Sequence, residues 1–253
     1  MIIDIAGIKT KIELEKNEIN KKLRARYKAF FSPHLKENYC IKVKFTNKSK
    51  NIGEPEIKKE KDGFTINRAD FEFKLKGKRG MLICKPNIYS FDSFLRVFYS
   101  LILLKNRTLL IHGCGFRHKG KNYCFIGKSG SGKSTICRLM QDRAIIFTDE
   151  LICLKIEKKI EVYSSPFWGE LRPGGVNYKG NLNHFYILKK SDKARIENID
   201  IRNFMKTALR CAMNFSRSTK EAQNIINLLF HLRKTINPKY FYFDRNLGFL
   251  KLL

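Results

Sequence analysis

Gly127-Lys128-Ser129-Gly130-Ser131-Gly132-Lys133-Ser134 satisfies the pattern G-x-x-x-x-G-K-[ST]. A loop of this kind turns successive backbone N–H groups inward around phosphate oxygens, and a helix that follows adds the positive end of its dipole. Lys133 is then placed to reach the β and γ phosphates of ATP. Ser134 is placed to set its hydroxyl on Mg2+, an octahedral ion that keeps several waters and takes few protein ligands. Thr135 closes the nucleotide-binding set, although a helix-surface or packing role suits it as well. A flexible glycine turn that matches by chance is the plain alternative. The apolar strand before the loop, Tyr123 to Ile126, and the helical pattern after it, Lys133 to Gln141, speak for the phosphate loop.

Further side chains with chemical capacity flank this loop. Ala144 to Phe147 reads as a buried strand that runs into Asp149-Glu150, sixteen residues beyond Lys133. Phosphoryl transfer needs a carboxylate to hold the metal and often a second to orient or deprotonate the attacking hydroxyl, so a vicinal pair suits the work. Solvated acids at an ordinary strand end are the bland alternative. His112, followed by Gly113, lies 21 residues before Lys133. If strands 108–112 and 123–126 pair as a hairpin through Arg117 to Lys121, His112 falls at the opposite strand end from the loop unless the connection folds over. Spacing therefore leaves its role open. An arginine beside a phosphate site can hold transferring charge bidentately, which makes Arg172 a candidate. Phe167 and Trp168 read as packing anchors of their loop.

The elements that must position these groups are legible in coarse outline. Residues 1–88 read as a small β-rich (α+β) module and residues 89–253 as an ATP-binding domain. In the module, Ile8 to Leu14 and Tyr39 to Phe45 alternate as strands, and Ile19, Leu23, Tyr27 and Phe30 recur at helical spacing. The charged stretch Lys48 to Gly63 reads as a loop, and Phe64 to Ile66, Phe71 to Leu75 and Met81 to Ile83 as further strands. A helix capped by Ser90 or Asp92 is expected to run to Leu104. Strands are then expected at 108–112, 123–126, 144–147 and 161–163, with the phosphate loop between the second and third. A strand, glycine loop, helix and strand in that order form an α/β unit with its loop at a carboxyl strand end, where such sheets bind ligands. Ser218-x-x-Glu221 resembles a capping box opening a helix. Tyr240 to Phe243 and Phe249 to Leu253 are expected to close as a hairpin around Arg245 and Asn246.

Composition narrows the function classes. The chain has 253 residues, 43% of them hydrophobic, which provides a real core and excludes a disordered tail. Its net charge is +28 and its pI about 9.9. A charge this large predicts affinity for polyanions, and a nucleic-acid partner, a membrane surface or a merely solvated exterior all fit it. Seven scattered cysteines without a C-x-x-C pair suggest neither a disulfide framework nor a thiolate zinc site. The start, Met1 to Ala6, is apolar but short and lacks a basic lead, unlike a signal peptide. The longest apolar stretch, Phe91 to Leu104, contains Asp92 and Arg96 and is too short to span a bilayer. A cytoplasmic protein without a transmembrane segment is expected.

Taken together, these residues resemble the kinase domain of the HPr kinase/phosphorylase-related family, whose fold is akin to phosphoenolpyruvate carboxykinase. Four motifs carry the resemblance: His112-Gly113 ahead of the loop, the G-x-S-G-x-G-K-S form of Gly127 to Ser134, the acidic pair Asp149-Glu150, and Glu170-Leu171-Arg172-Pro173-Gly174-Gly175 in place of E-x-R-G-x-G. They cover about residues 108–176, and relatives also carry a small β-rich leader. The resemblance implies an α/β P-loop kinase using ATP and Mg2+. One acid would activate a serine hydroxyl while the other, with Ser134, holds the metal, and His112 and Glu170 would be second-tier active-site residues. Asp149 best fits the first acid and is assigned the base, with Glu150 on the metal. The pair is Asp-Glu where the family has Asp-Asp, Pro173 departs from the third motif, and no match to the family's later arginine loop is found. Those departures leave the identity of the base and any phosphorolysis open.

The expected function is ATP-dependent transfer of the γ-phosphoryl group to a hydroxyl, foremost a serine of an acceptor protein or peptide. Two rivals remain. A small-molecule kinase of the shikimate or nucleoside class also has acids soon after the loop, but those enzymes usually begin near the loop, whereas more than a hundred residues precede it in this chain. A basic, nucleotide-regulated nucleic-acid-binding protein is the other. ABC-type ATPases and GTPases fit poorly, since neither L-S-G-G-Q nor N-K-x-D occurs. Homo-oligomerisation stays open.

Overall fold

The structure is a computed structural model that describes all residues except 16–17, 35, 48–52, 172–175, 217 and 245–246. Among the described residues it is mixed α/β, with two sheets and five α-helices. The chain divides into two compact units, residues 1–102 with 214–218, and residues 103–213 with 219–253. No described helix is long and apolar enough to cross a membrane.

In the first unit the order is β1 (Ile2–Ile5), β2 (Ile8–Glu13), α1 (Glu18–Tyr27), β3 (Tyr39–Phe45), β4 (Glu56–Glu60), β5 (Gly63–Arg68), β6 (Phe71–Lys76), β7 (Arg79–Cys84) and α2 (Ile88–Lys105). The strands form one sheet, β1-β2-β3-β7-β6-β5-β4, in which β3 runs parallel to β2 and β7 and the other pairs are antiparallel. On β6 every second side chain, Phe71, Phe73 and Leu75, is buried; on α2 Phe91, Phe94 and Phe98 recur at helical spacing. Their rings interlock, with Phe73 and Phe94 4.7 Å apart between centroids. Each such ring contributes about 1.5–3 kcal/mol by leaving water, which fixes α2 on this sheet. The boundary at residue 88 read from the sequence falls where α2 begins, and the first unit extends along that helix to Ile102.

Two expectations for this unit need correction. The stretch Lys48 to Gly63 contains β4, an edge strand antiparallel to β5 whose charged side chains discourage further pairing. Residues 48–52 of it lie outside the described residues. Helix α2 is opened by Asn87, whose Oδ1 accepts the Ser90 N–H at 2.8 Å, and not by Ser90 or Asp92. Asp92 sits inside the helix, where its carboxylate accepts bonds from Arg26, Arg96 and the Tyr27 hydroxyl.

The second unit contains β8 (Thr108–His118), β9 (Lys121–Ile126), α3 (Lys133–Met140), β10 (Ile145–Thr148), β11 (Leu151–Ile156), β12 (Ile160–Tyr163), β13 (Lys179–Asn181), β14 (His184–Lys190), β15 (Arg195–Asn198), α4 (Ile201–Cys211), α5 (Thr219–Ile236) and β16 (Lys239–Phe243). Its sheet has the order β13-β12-β11-β8-β9-β14-β16-β15, with β10 also paired to β8. The strands β9, β14 and β16 are mutually parallel neighbours. Side-chain alternation splits the core between two faces. Cys124, Ile126, Phe185 and Ile187 meet α4 and α5, whereas Tyr123, Phe125, Tyr186 and Leu188 meet α3.

The expected closing hairpin does not form. β16 pairs with β14 and β15, and Gly248–Leu252 is a 3-10 turn that buries Phe249 against the α3 face. Arg245 and Asn246 lie outside the described residues. Leu151–Ile156, β13 to β15 and α4 are elements that sequence patterning did not separate.

Candidate functional site

The strand carrying His112 decides the geometry. β8 runs to His118, well past the expected end at His112, so Gly113 pairs with Ile126, the last residue of β9. His112 therefore lies beside the start of the phosphate loop and not at the far strand end. On the opposite edge of β8, β10 and β11 form a nearly continuous antiparallel partner, interrupted by a bulge between Ile146 and Thr148. The Gly113 N–H donates to the Glu150 carbonyl at 2.8 Å. Gly113 is thus flanked by the phosphate loop on one side and the acidic pair on the other. A Cβ there would stand 2.7 Å from the Phe125 carbonyl oxygen, so only glycine lets the three strands close.

Residues His112, Ser129, Gly130, Gly132, Lys133, Ser134, Thr135, Asp149, Glu150, Gly169, Glu170 and Lys190 line a cleft of about 390 Å3. That volume lies within the range of small-ligand sites. Of the loop residues named from the sequence, Gly127, Lys128 and Ser131 do not line it but shape it. Gly130 and Gly132 have φ of +74° and +102°, which glycine adopts without strain. Lys133 opens α3 and is buried, and its Nζ donates to the carbonyls of Gly127 at 2.9 Å and Lys128 at 3.0 Å. Burial lowers its pKa from the ordinary value, partly opposed by the thiols of Cys114 and Cys211. An ammonium has three N–H donors, so one remains for an oxygen in the cleft. The Ser131 hydroxyl is buried without a hydrogen-bond partner among the described residues. An orphaned donor in a glycine cradle fits a loop built for oxygen-rich ligands.

The two acids are held differently. Asp149 is 3% exposed, and its carboxylate accepts the Gly169 N–H on Oδ1 at 2.9 Å and the Leu171 N–H on Oδ2 at 3.0 Å. Each oxygen keeps a further lone pair. Glu150 is half-buried, and its N–H donates to Thr148 Oγ1 at 3.1 Å. Thr148 is itself fixed, since its hydroxyl donates to the Phe167 carbonyl at 2.9 Å. Phe167 is fully buried, in line with packing, and Trp168 is half-buried. Glu170 is exposed at the cleft and approaches Arg138 of α3 at 3.5 Å. Arg172 lies outside the described residues, as do Pro173, Gly174 and Gly175.

The fold therefore brings His112, the loop, Asp149, Glu150 and Glu170 to one place. Sequence reasoning missed Lys190 and Gly169. Lys190 ends β14, the parallel neighbour of β9, and follows Leu188 by two residues on the face that meets α3. A basic residue at the carboxyl end of an apolar strand was the available signal. The donor set suits a metal nucleotide: Mg2+ needs few protein oxygens, and Ser134 and Glu150 can provide them. The chain matches no protein-family model and no curated protein sequence.

Proposed function

We propose that the chain is an ATP-dependent kinase, related to the HPr kinase/phosphorylase group with its phosphoenolpyruvate carboxykinase-like fold, that phosphorylates a hydroxyl, foremost a serine of a protein or peptide. The observation that carries this reading is the single cleft on which the glycine loop, Lys133, His112 and the acidic pair converge. When bound, Mg2+·ATP supplies the phosphoryl group and the charge that draws electrons from it.

Each residue then has a task derived from its setting. The loop amides and the third Lys133 N–H bind phosphate oxygens, and Lys190 adds a second cation at the cleft. The Ser134 hydroxyl and the Glu150 carboxylate hold the metal. Asp149, fixed by two amides, presents its remaining lone pairs to the acceptor hydroxyl and takes its proton. Glu170 and His112 line the same cleft, where an acceptor hydroxyl would approach Asp149. More than a hundred residues ahead of the loop disfavour the small-molecule kinase alternative.

Thermal unfolding with Mg2+·ATP or adenosine, followed by an ADP-release assay on serine-containing peptides, tests the proposal. Stabilisation by Mg2+·ATP but not adenosine, persisting at about 0.3 M salt where the Debye length is several Å, together with peptide-dependent ADP release, is expected. Equal stabilisation by adenosine, or a salt-dependent shift on nucleic acid without turnover, would overturn it.

A further inference from the structure

Helix α4 carries Arg202, Lys206 and Arg210 at i, i+4 and i+8, opposite its buried face of Phe204, Ala208 and Cys211. All three are exposed. None of the ion pairs among the described residues involves them. The helix itself has no acid. It thus presents a one-sign ridge whose charges rise about 6 Å apart.

The ridge leads to the phosphate loop. Cys211, the residue after Arg210, donates its thiol to the Gly127 carbonyl at 3.8 Å. Ala212 bridges Ile111, and the Met213 N–H donates to the Leu110 carbonyl at 2.8 Å. The carboxyl end of α4 is therefore pinned between the first loop glycine and the strand segment just ahead of His112. A chain lying along the ridge arrives beside the cleft.

We infer that the α4 ridge docks an acidic, extended segment of the peptide or protein acceptor, an inference that rests on the kinase reading above. Alternate side chains of an extended peptide stand about 7 Å apart, close to the ridge spacing, so acids at every second position meet successive cations. The other exposed residues on α4 are Ile201, Asn203 and Leu209, none of them charged or aromatic. Single-stranded nucleic acids are instead held by basic grooves interleaved with aromatic platforms, and α4 exposes no aromatic ring. The ridge supplies encounter and register, and the cleft supplies chemistry.

The test uses the full chain and fluorescence anisotropy with a labelled peptide of alternating Glu and Ser. The variant Arg202→Glu/Lys206→Glu/Arg210→Glu is compared with Lys44→Glu/Lys58→Glu/Lys78→Glu, which changes the net charge equally at exposed sites of the other unit. The ridge variant is expected to bind about tenfold more weakly or worse, with the control near wild type. Equal losses in both variants, no binding by wild type, or tighter ridge-dependent binding of oligothymidine would overturn the inference. The Mg2+·ATP thermal shift is measured on the same samples. Its retention in the ridge variant shows an intact fold and loop; its absence in wild type counts against the kinase reading alone, because peptide binding is read without turnover.

Discussion

Gly169 and Asp149 are in mutual contact that leaves no room for a side chain: the Gly169 N–H donates to Asp149 Oδ1 at 2.9 Å, and a Cβ on Gly169 would lie 2.8 Å from Oδ2. The buried carboxylate is thereby the anchor of the segment that carries Glu170 into the cleft.

Gly169→Ala should therefore disturb both stability and catalysis. The added methyl group must push the loop or the carboxylate away, and a buried acceptor that loses an amide costs about 1–3 kcal/mol. We expect a melting temperature lower by several degrees and turnover reduced at least as strongly as in Glu170→Gln. Unchanged melting and turnover would show that the anchor does not operate.

Lys133→Met should keep the fold and lose the nucleotide response. Its ammonium is buried and bonded to two loop carbonyls, so replacement by an apolar chain of similar length removes a desolvated charge along with those bonds. The melting temperature without ligand should move by no more than a few degrees, while turnover falls by about 10²-fold or more. Circular dichroism and the Mg2+·ATP thermal shift check the two halves separately. A folded variant with normal turnover would remove Lys133 from the site.

His184 gives a pH signature. Burial first, then Lys121 and Lys239, holds its imidazole below the ordinary value of 6.5, and its ring stacks on Tyr123 at 4.9 Å. As pH falls through 6.5 the unfolded chain takes up a proton that the folded chain still resists. The unfolded state then binds more protons, so this stability is present above 6.5 and is lost as pH falls toward the folded value. His184→Phe keeps the stack but cannot titrate. Melting curves from pH 8 to 5 should fall less steeply for the variant, and parallel curves would refute the assignment.

The parts of the site that rest on local pattern were the legible ones. Gly127 to Ser134 declares itself because glycine spacing, the strand before it and the helix after it are neighbours in sequence. The convergence of His112 with Glu150 was not legible, since it depends on β8 continuing through Gly113 and pairing on both edges, which is a tertiary choice. Alternation alone ends that strand early, because Gly113 and Gly115 interrupt the apolar run where close packing requires them. Lys190 escaped for the same reason: β14 meets β9 only through long-range parallel pairing. The last residues misled because Phe249 to Leu253 is apolar in a way that a strand and a short 3-10 turn share.

The acidic pair is separable by its surroundings. Asp149→Asn must turn one NH2 toward either the Gly169 or the Leu171 N–H, so it loses an anchoring bond as well as the proton acceptor. Turnover should drop by about 10²–10⁴-fold, the range for a lost general base, with a melting temperature lower by a few degrees and little change in the Mg2+ concentration required. Glu150 is half-buried and lines the cleft. Glu150→Gln should raise the Mg2+ requirement, because a neutral amide is a poorer ligand for a hard cation. Single-turnover rates across a Mg2+ titration distinguish the two. A selective metal defect in Asp149→Asn with a pure rate defect in Glu150→Gln would exchange the roles, and normal rates in both would take the pair out of the mechanism, leaving Asp149 as a loop anchor only.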